Sequence, residues 1–217
     1  MTFIKICGIK NEEDALATAE AGADFIGLVF AASPRQVTPA LAVKITTALK
    51  KNKARAKSVG VFVNAPAPTV RKIADACHLD WIQLSGDESW EYGAELGRPM
   101  IKVIKFSRNE PLEAVGRQMN DGKKMMGKNK YMFLLDSSTA DKYGGTGMTF
   151  DWNLAKPIAE RFPVIIAGGL NPGNVGRAIK LIKPWGVDVS TGVETKGAKD
   201  MKKIIQFIEA VNEADET

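Results

Sequence analysis

Residues 164–194 read VIIAGGLNPGNVGRAIKLIKPWGVDVSTGVE. An apolar run, Val164–Ala167, stops at Gly168-Gly169. Asn171 and Pro172 then open a helical stretch that runs to Lys183, because proline fits the first helical turn. A second short apolar run, Val187–Val189, leads into Ser190-Thr191-Gly192-Val193-Glu194. The first run is apolar throughout and the second is apolar but for Asp188, as strands covered on two faces largely are. The segment reads as strand, glycine-rich turn, helix, strand.

The same unit recurs along the chain. Further strand candidates are Phe3–Ile6, Phe25–Val29, Ser58–Val63, Trp81–Leu84, Met100–Ile104 and Tyr131–Leu135, making eight in all. Asn11 caps a helix whose first turn carries Glu12, Glu13 and Asp14 and which ends at Gly22. Pro39 opens a second helix running toward Lys50. Ala67–Cys77, Trp90–Leu96, Glu110–Met119, Asp151–Glu160 and Asp200–Asn212 read as helices, and Gly122–Lys130 as a loop. Alternating strands and helices define an α/β protein with a parallel sheet, and eight repeats favour closure. The expected fold is a single (β/α)8 TIM barrel over residues 1–217, with no linker or second domain.

Composition narrows the function classes. The chain has 217 residues, 45% of them hydrophobic and 25% charged, as in a soluble globular domain. No apolar run is long enough for a membrane span, and the N-terminus lacks the zones of a signal peptide. Two cysteines give no disulfide framework, so a cytoplasmic location is expected. The net charge of +5 gathers partly in GKKMMGKNK at 122–130, where no aromatic residue is interleaved. That argues against a nucleic-acid partner and for a solvated loop.

In such a barrel the chemistry lies on loops that follow strands. His78 and Cys77 follow the third helix and fall at the opposite end, which removes the only histidine as base or metal ligand. No metal and no cofactor are expected. Cys7 ends the first strand, at the mouth. Lys5 then points inward one layer below, and needs a partner. Asp188, on the neighbouring eighth strand, is the expected one, with the ammonium favouring the Cys7 thiolate. Asp136 follows the sixth strand and is a candidate general acid. Arg35, in Ser33-Pro34-Arg35, is a candidate carboxylate clamp. Gly168-Gly169 and Ser190-Thr191-Gly192 follow strands seven and eight, where backbone N–H groups commonly bind phosphate. A small phosphorylated substrate is expected. Asp136–Thr149, with Gly144-Gly145-Thr146-Gly147, is a candidate lid.

Nine segments carry a family resemblance: KICGIK (5–10), GADFIGLVF (22–30), SPRQV (33–37), VGVFVN (59–64), IQLSGDE (82–88), LLD (134–136), GGTGMTFDW (144–152), AGGLNPGNV (167–175) and VDVSTGVETKGAKD (187–200). In order and spacing the chain resembles the phosphoribosylanthranilate isomerases of tryptophan biosynthesis over nearly its whole length. The resemblance implies a cofactor-free Amadori rearrangement of N-(5-phosphoribosyl)anthranilate. It implies Cys7 as general base, Asp136 as general acid, Arg35 facing the anthranilate carboxylate, and the two glycine loops on the phosphate. It departs at Ser85-Gly86, where the family usually has His-Gly. The alternatives are the related isomerase of histidine biosynthesis, a barrel accepting both substrates, or a catalytically silent phosphate-binding subunit. A monomer and a homodimer fit equally.

Overall fold

The computed structural model describes residues 1–105, 111–136 and 152–216. Its strands are β1 (Phe3–Cys7), β2 (Phe25–Val29), β3 (Lys57–Phe62), β4 (Trp81–Leu84), β5 (Met100–Lys105), β6 (Tyr131–Asp136), β7 (Val164–Ile166) and β8 (Gly186–Val189). The helices are α1 (Glu12–Glu20), α2 (Pro39–Lys51), α3 (Ala67–Ala76), α4 (Trp90–Leu96), α5 (Leu112–Met126), α6 (Trp152–Ala159), α7 (Val175–Ile182) and α8 (Met201–Asp215). The eight strands run parallel in chain order and close, with β1 pairing both β2 and β8. A hairpin of β9 (Glu194–Thr195) and β10 (Ala198–Lys199) sits between β8 and α8.

Local chemistry sets the boundaries. The Asn11 side chain accepts from the Asp14 N–H at 2.7 Å to start α1, and Thr38 does the same for Leu41 at 3.2 Å to start α2 at Pro39. Two expectations shift. The helix expected from Pro172 begins at Val175, because side-chain amides hold the chain in a turn first. Asn174 Oδ1 accepts from Asn171 N at 2.8 Å, and Asn171 Oδ1 from Gly173 N at 2.9 Å. The loop expected over 122–130 is largely helix, since α5 continues to Met126. Val115, Met119 and Met126 share its buried face, and Gly122 lies against Trp90, where an added Cβ would come within 2.4 Å of the indole. Gly122 is thus a packing glycine, and Gly127 (φ +53°) is the one that ends the helix. The residues expected to open α5 at Glu110 and α6 at Asp151 lie outside the described residues, as does the candidate lid with Gly144–Gly147.

Alternation sorts the side chains into two cores. Outward-facing aliphatics such as Ile4, Ile6, Ile26 and Leu28 pack under the helices. Inward, Phe25, Val59, Ile101, Met132, Leu134 and Ile165 fill the barrel, and Cys7, Val29 and Val61 lie together as a separate group. At the lower end Phe3 stacks on Trp185 with ring centres 4.1 Å apart. The fold brings Lys123 and Lys130 beside Trp81, Tyr131 and Trp185 there, a juxtaposition the linear sequence does not show. His78 (φ +49°) and Cys77 follow α3 at that same end, as expected, and both cysteines are free thiols.

Candidate active site

The upper end of the barrel opens into a cavity of about 360 Å³. Cys7 from the end of β1, Asp136 from the end of β6, Asp188 and Ser190 from β8 and its loop, and Arg35 from the β2–α2 loop all line it. The fold therefore unites the expected acid, base and carboxylate-binding residues in one space. Among the described residues no group of three or more metal-ligating side chains forms.

Lys5 and Asp188 are direct register partners on β1 and β8. Lys5 Nζ donates to Asp188 Oδ1 at 2.7 Å, with the side chains 1% and 11% exposed. The expected pair beneath the mouth is present. Burial drives the Lys5 ammonium toward the neutral form, but the carboxylate of Asp188 and the sulfur of Cys7 outweigh that and hold it above its ordinary value.

Lys5 favours the Cys7 thiolate as expected, but it is outweighed. Burial, with the Asp188 carboxylate, pushes the thiol up, and together they outweigh the downward pull of Lys5 and Lys199. The balance disfavours a standing thiolate. The main reason is burial, and the Asp188 carboxylate adds to it.

Arg35 is also placed differently from a solvent-facing clamp. Its Nε and Nη2 donate to Glu194 Oε1 and Oε2 at 2.6 and 2.8 Å. One edge of the guanidinium is therefore filled by the protein's own carboxylate. Burial tends to raise the Glu194 carboxyl, yet the hydrogen bonds from Arg35 and Lys199 bring it down to about 2. The Arg35 stem lies across Gly8, where a Cβ would stand 2.5 Å from Arg35 Cδ, and Gly8 has φ +85°. Glycine is needed there on both counts.

The two glycine loops meet. Gly168 and Gly169 take φ values of +89° and +65° after β7. A Cβ on Gly192 would lie 1.8 Å from the Leu170 carbonyl oxygen, so the β8 loop touches the β7 loop only because that residue is glycine. Asn174 Nδ2 braces the first loop through Gly169 O at 2.9 Å. The N–H groups of Gly169 and Thr191 make no main-chain hydrogen bond among the described residues.

Three side chains were not singled out from sequence. Glu194 and Lys199 sit inside VDVSTGVETKGAKD but have no recognisable spacing without the hairpin. Gln83, on β4, donates to Ser85 Oγ at 3.0 Å, and its own Oε1 is buried with no partner among the described residues. The loop carrying Ser85 is fixed by Glu88, which accepts from Asn64 N and Gly86 N at 2.7 and 2.9 Å and pairs with buried Lys102 at 3.3 Å.

Fold and site together define a (β/α)8-barrel enzyme with a thiol and a carboxyl at its mouth. The model of the family "N-(5'phosphoribosyl)anthranilate (PRA) isomerase" matches residues 4–210. An N-(5'-phosphoribosyl)anthranilate isomerase of Dehalococcoides mccartyi is 48% identical over 215 residues, covering 99% of this chain and 98% of the relative. One from Roseiflexus is 41% identical, with 99% of each covered. The crystal structure of the Thermotoga maritima phosphoribosyl anthranilate isomerase superimposes with a TM-score of 0.84 at 35% identity, over 98% of this chain and 100% of that one. The chain belongs to the N-(5'-phosphoribosyl)anthranilate isomerase family, and is an isomerase of tryptophan biosynthesis.

Proposed function

We propose that Cys7 and Asp136 are the base and acid with which this isomerase converts N-(5-phosphoribosyl)anthranilate to 1-(2-carboxyphenylamino)-1-deoxyribulose 5-phosphate. The observation that carries this is their convergence, from β1 and β6, on one cavity that also holds Arg35. A structure of the family carries reduced 1-(O-carboxyphenylamino)-1-deoxyribulose 5-phosphate, and its fold matches this chain with a TM-score of 0.82. The substrate's phosphate goes to the loops of Gly168, Gly169, Ser190, Thr191 and Gly192, and its carboxylate to Arg35. Asp188 holds Lys5 beneath the reacting carbons.

Asp136 gives its proton to the furanose ring oxygen. The C1–O bond breaks and the amine lone pair forms a C1=N iminium. That cation acidifies the C2 proton, which Cys7 removes as its thiolate, having released its own proton to solvent, and the C–H electrons become the C1=C2 bond of an enolamine. The Cys7 thiol returns a proton to C1 and the C2 hydroxyl loses its proton as the carbonyl forms, which restores the Asp136 carboxyl, so atoms and electrons balance without an external oxidant. The raised Cys7 thiol fits this order. A thiolate disfavoured in the empty pocket is favoured once a cationic iminium lies beside it.

Cys7 stands where the histidine-pathway isomerases typically carry aspartate, and that reading and the silent subunit gain no support. A Thermotoga maritima relative is a dimeric phosphoribosylanthranilate isomerase, which supports the homodimer among the two assemblies expected for this chain. No described helix is long and apolar enough to cross a membrane. The test is turnover by Cys7→Ser and Asp136→Asn. Each is expected to lose about 10²–10⁴-fold in kcat, the usual contribution of a positioned acid or base. Wild-type rates in both would remove these assignments.

A further inference from the structure

The β9–β10 hairpin has a short turn with a defined purpose. Lys196 and Gly197 both have positive φ, +52° and +79°, which makes the two-residue connection that suits a tight hairpin. This turn sets Lys199 directly opposite Glu194. Lys199 Nζ donates to Glu194 Oε1 at 2.8 Å and to Ser190 O at 2.9 Å, and Lys203 Nζ donates to the Glu194 carbonyl at 2.7 Å. The Glu194 and Lys199 side chains are 7% and 2% exposed. Glu194 is thus held on its side chain and its backbone, and it does not swing freely.

A guanidinium has two edges that can each hold a carboxylate. Glu194 fills the edge made by Nε and Nη2. The edge that includes Nη1 has no hydrogen-bond partner among the described residues, and Arg35 lines the mouth cavity. Arg35 and Lys199 against Glu194 leave one net positive charge at this corner.

We propose that Glu194, braced by Lys199, is the positioning residue that turns the open edge of Arg35 into the cavity and so sets the preference for a substrate bearing an aromatic carboxylate. This rests on the function proposed above, and on the same cavity. Two other roles predict different behaviour. A purely structural Glu194 would affect every substrate alike. A Glu194 that competed with the substrate for Arg35 would, once neutralised, tighten substrate binding, since its removal adds net positive charge at the mouth.

The experiment compares N-(5-phosphoribosyl)anthranilate with N-(5-phosphoribosyl)aniline, which lacks the carboxylate, in wild type, Glu194→Gln and Lys199→Gln. Glu194→Gln is expected to raise KM for the carboxylated substrate roughly tenfold, about the worth of one charge-assisted hydrogen bond. The same variant should keep kcat for that substrate within about threefold, and kcat/KM for the aniline analogue within about twofold, because neither reports the Arg35 edge. Lys199→Gln is expected to lower the selectivity ratio in the same direction by less, and it carries the test if Glu194→Gln fails to fold. Equal losses on both substrates overturn the proposal, as does a lower KM for the carboxylated one or an unchanged ratio. If wild type turns over neither compound, the proposed function fails; if it turns over the first and the variants keep its selectivity, only the role of Glu194 fails.

Discussion

Replacing Lys5 by methionine tests how the barrel interior tolerates charge beneath its active site. Lys5 is almost completely buried and lies 2.7 Å from Asp188, whose side chain is only 11% exposed. Methionine keeps much of the stem volume but removes the ammonium, so the Asp188 carboxylate loses its partner in the interior. Breaking a buried pair from one side typically costs about 3–5 kcal/mol. Against a typical total of about 5–15 kcal/mol, such a loss leaves the variant folded with little margin. Urea denaturation at neutral pH reads this directly. The expected loss for Lys5→Met is about 3–5 kcal/mol. The double variant Lys5→Met/Asp188→Leu should recover part of it, since paired charges exchanged for apolar groups are often neutral. A Lys5→Met loss below about 1 kcal/mol, the level of an exposed pair, would refute the reasoning.

Further outcomes follow from the same geometry. In wild type the Lys5 ammonium is held above its ordinary value, so its contribution to stability is intact below about pH 10.4 and is lost as pH rises through the folded value; alkaline unfolding, compared with Lys5→Met, checks this. Glu194 is brought down to about 2, so its contribution is present above about pH 4.3 and is lost as pH falls toward 2; Glu194→Gln should flatten that part of the acid-unfolding curve. Cys7 alkylation by iodoacetamide should be slow at pH 7 and should rise with a midpoint above about 8.5, whereas a midpoint below 7 would show a standing thiolate. Gly192→Ala should raise KM at least about tenfold, because a 1.8 Å approach to Leu170 O forces the β7 and β8 loops apart; unchanged KM would separate these loops from phosphate binding.

The barrel was legible because buried parallel strands are continuous apolar runs, and eight of them alternate with helical segments. Position sorting then placed Cys7, Asp136 and Arg35 at the mouth and His78 at the far end, and strand register alone brought Lys5 to Asp188. The 122–130 segment was misread because its two glycines look alike in sequence, while only Gly127 turns the chain and Gly122 makes room for Trp90. The direction of the Cys7 shift was hidden for another reason. A neighbouring ammonium is visible in the pattern Lys-Ile-Cys, but its neutralisation by Asp188 and the depth of burial are not. Glu194 and Lys199 were missed because their partnership exists only across the β9–β10 hairpin. Side-chain partners set by tertiary contact are the part of a site that sequence patterns carry least.

The central claim is that this barrel isomerises a phosphoribosylated anthranilate. The measurement is the loss of anthranilate-type fluorescence when purified wild-type protein meets freshly prepared N-(5-phosphoribosyl)anthranilate, with the mass of the product determined in parallel. Rapid fluorescence loss with a product of unchanged mass is predicted, as an intramolecular proton shift requires. No loss beyond spontaneous decay with folded protein, or release of free anthranilate, would contradict the account.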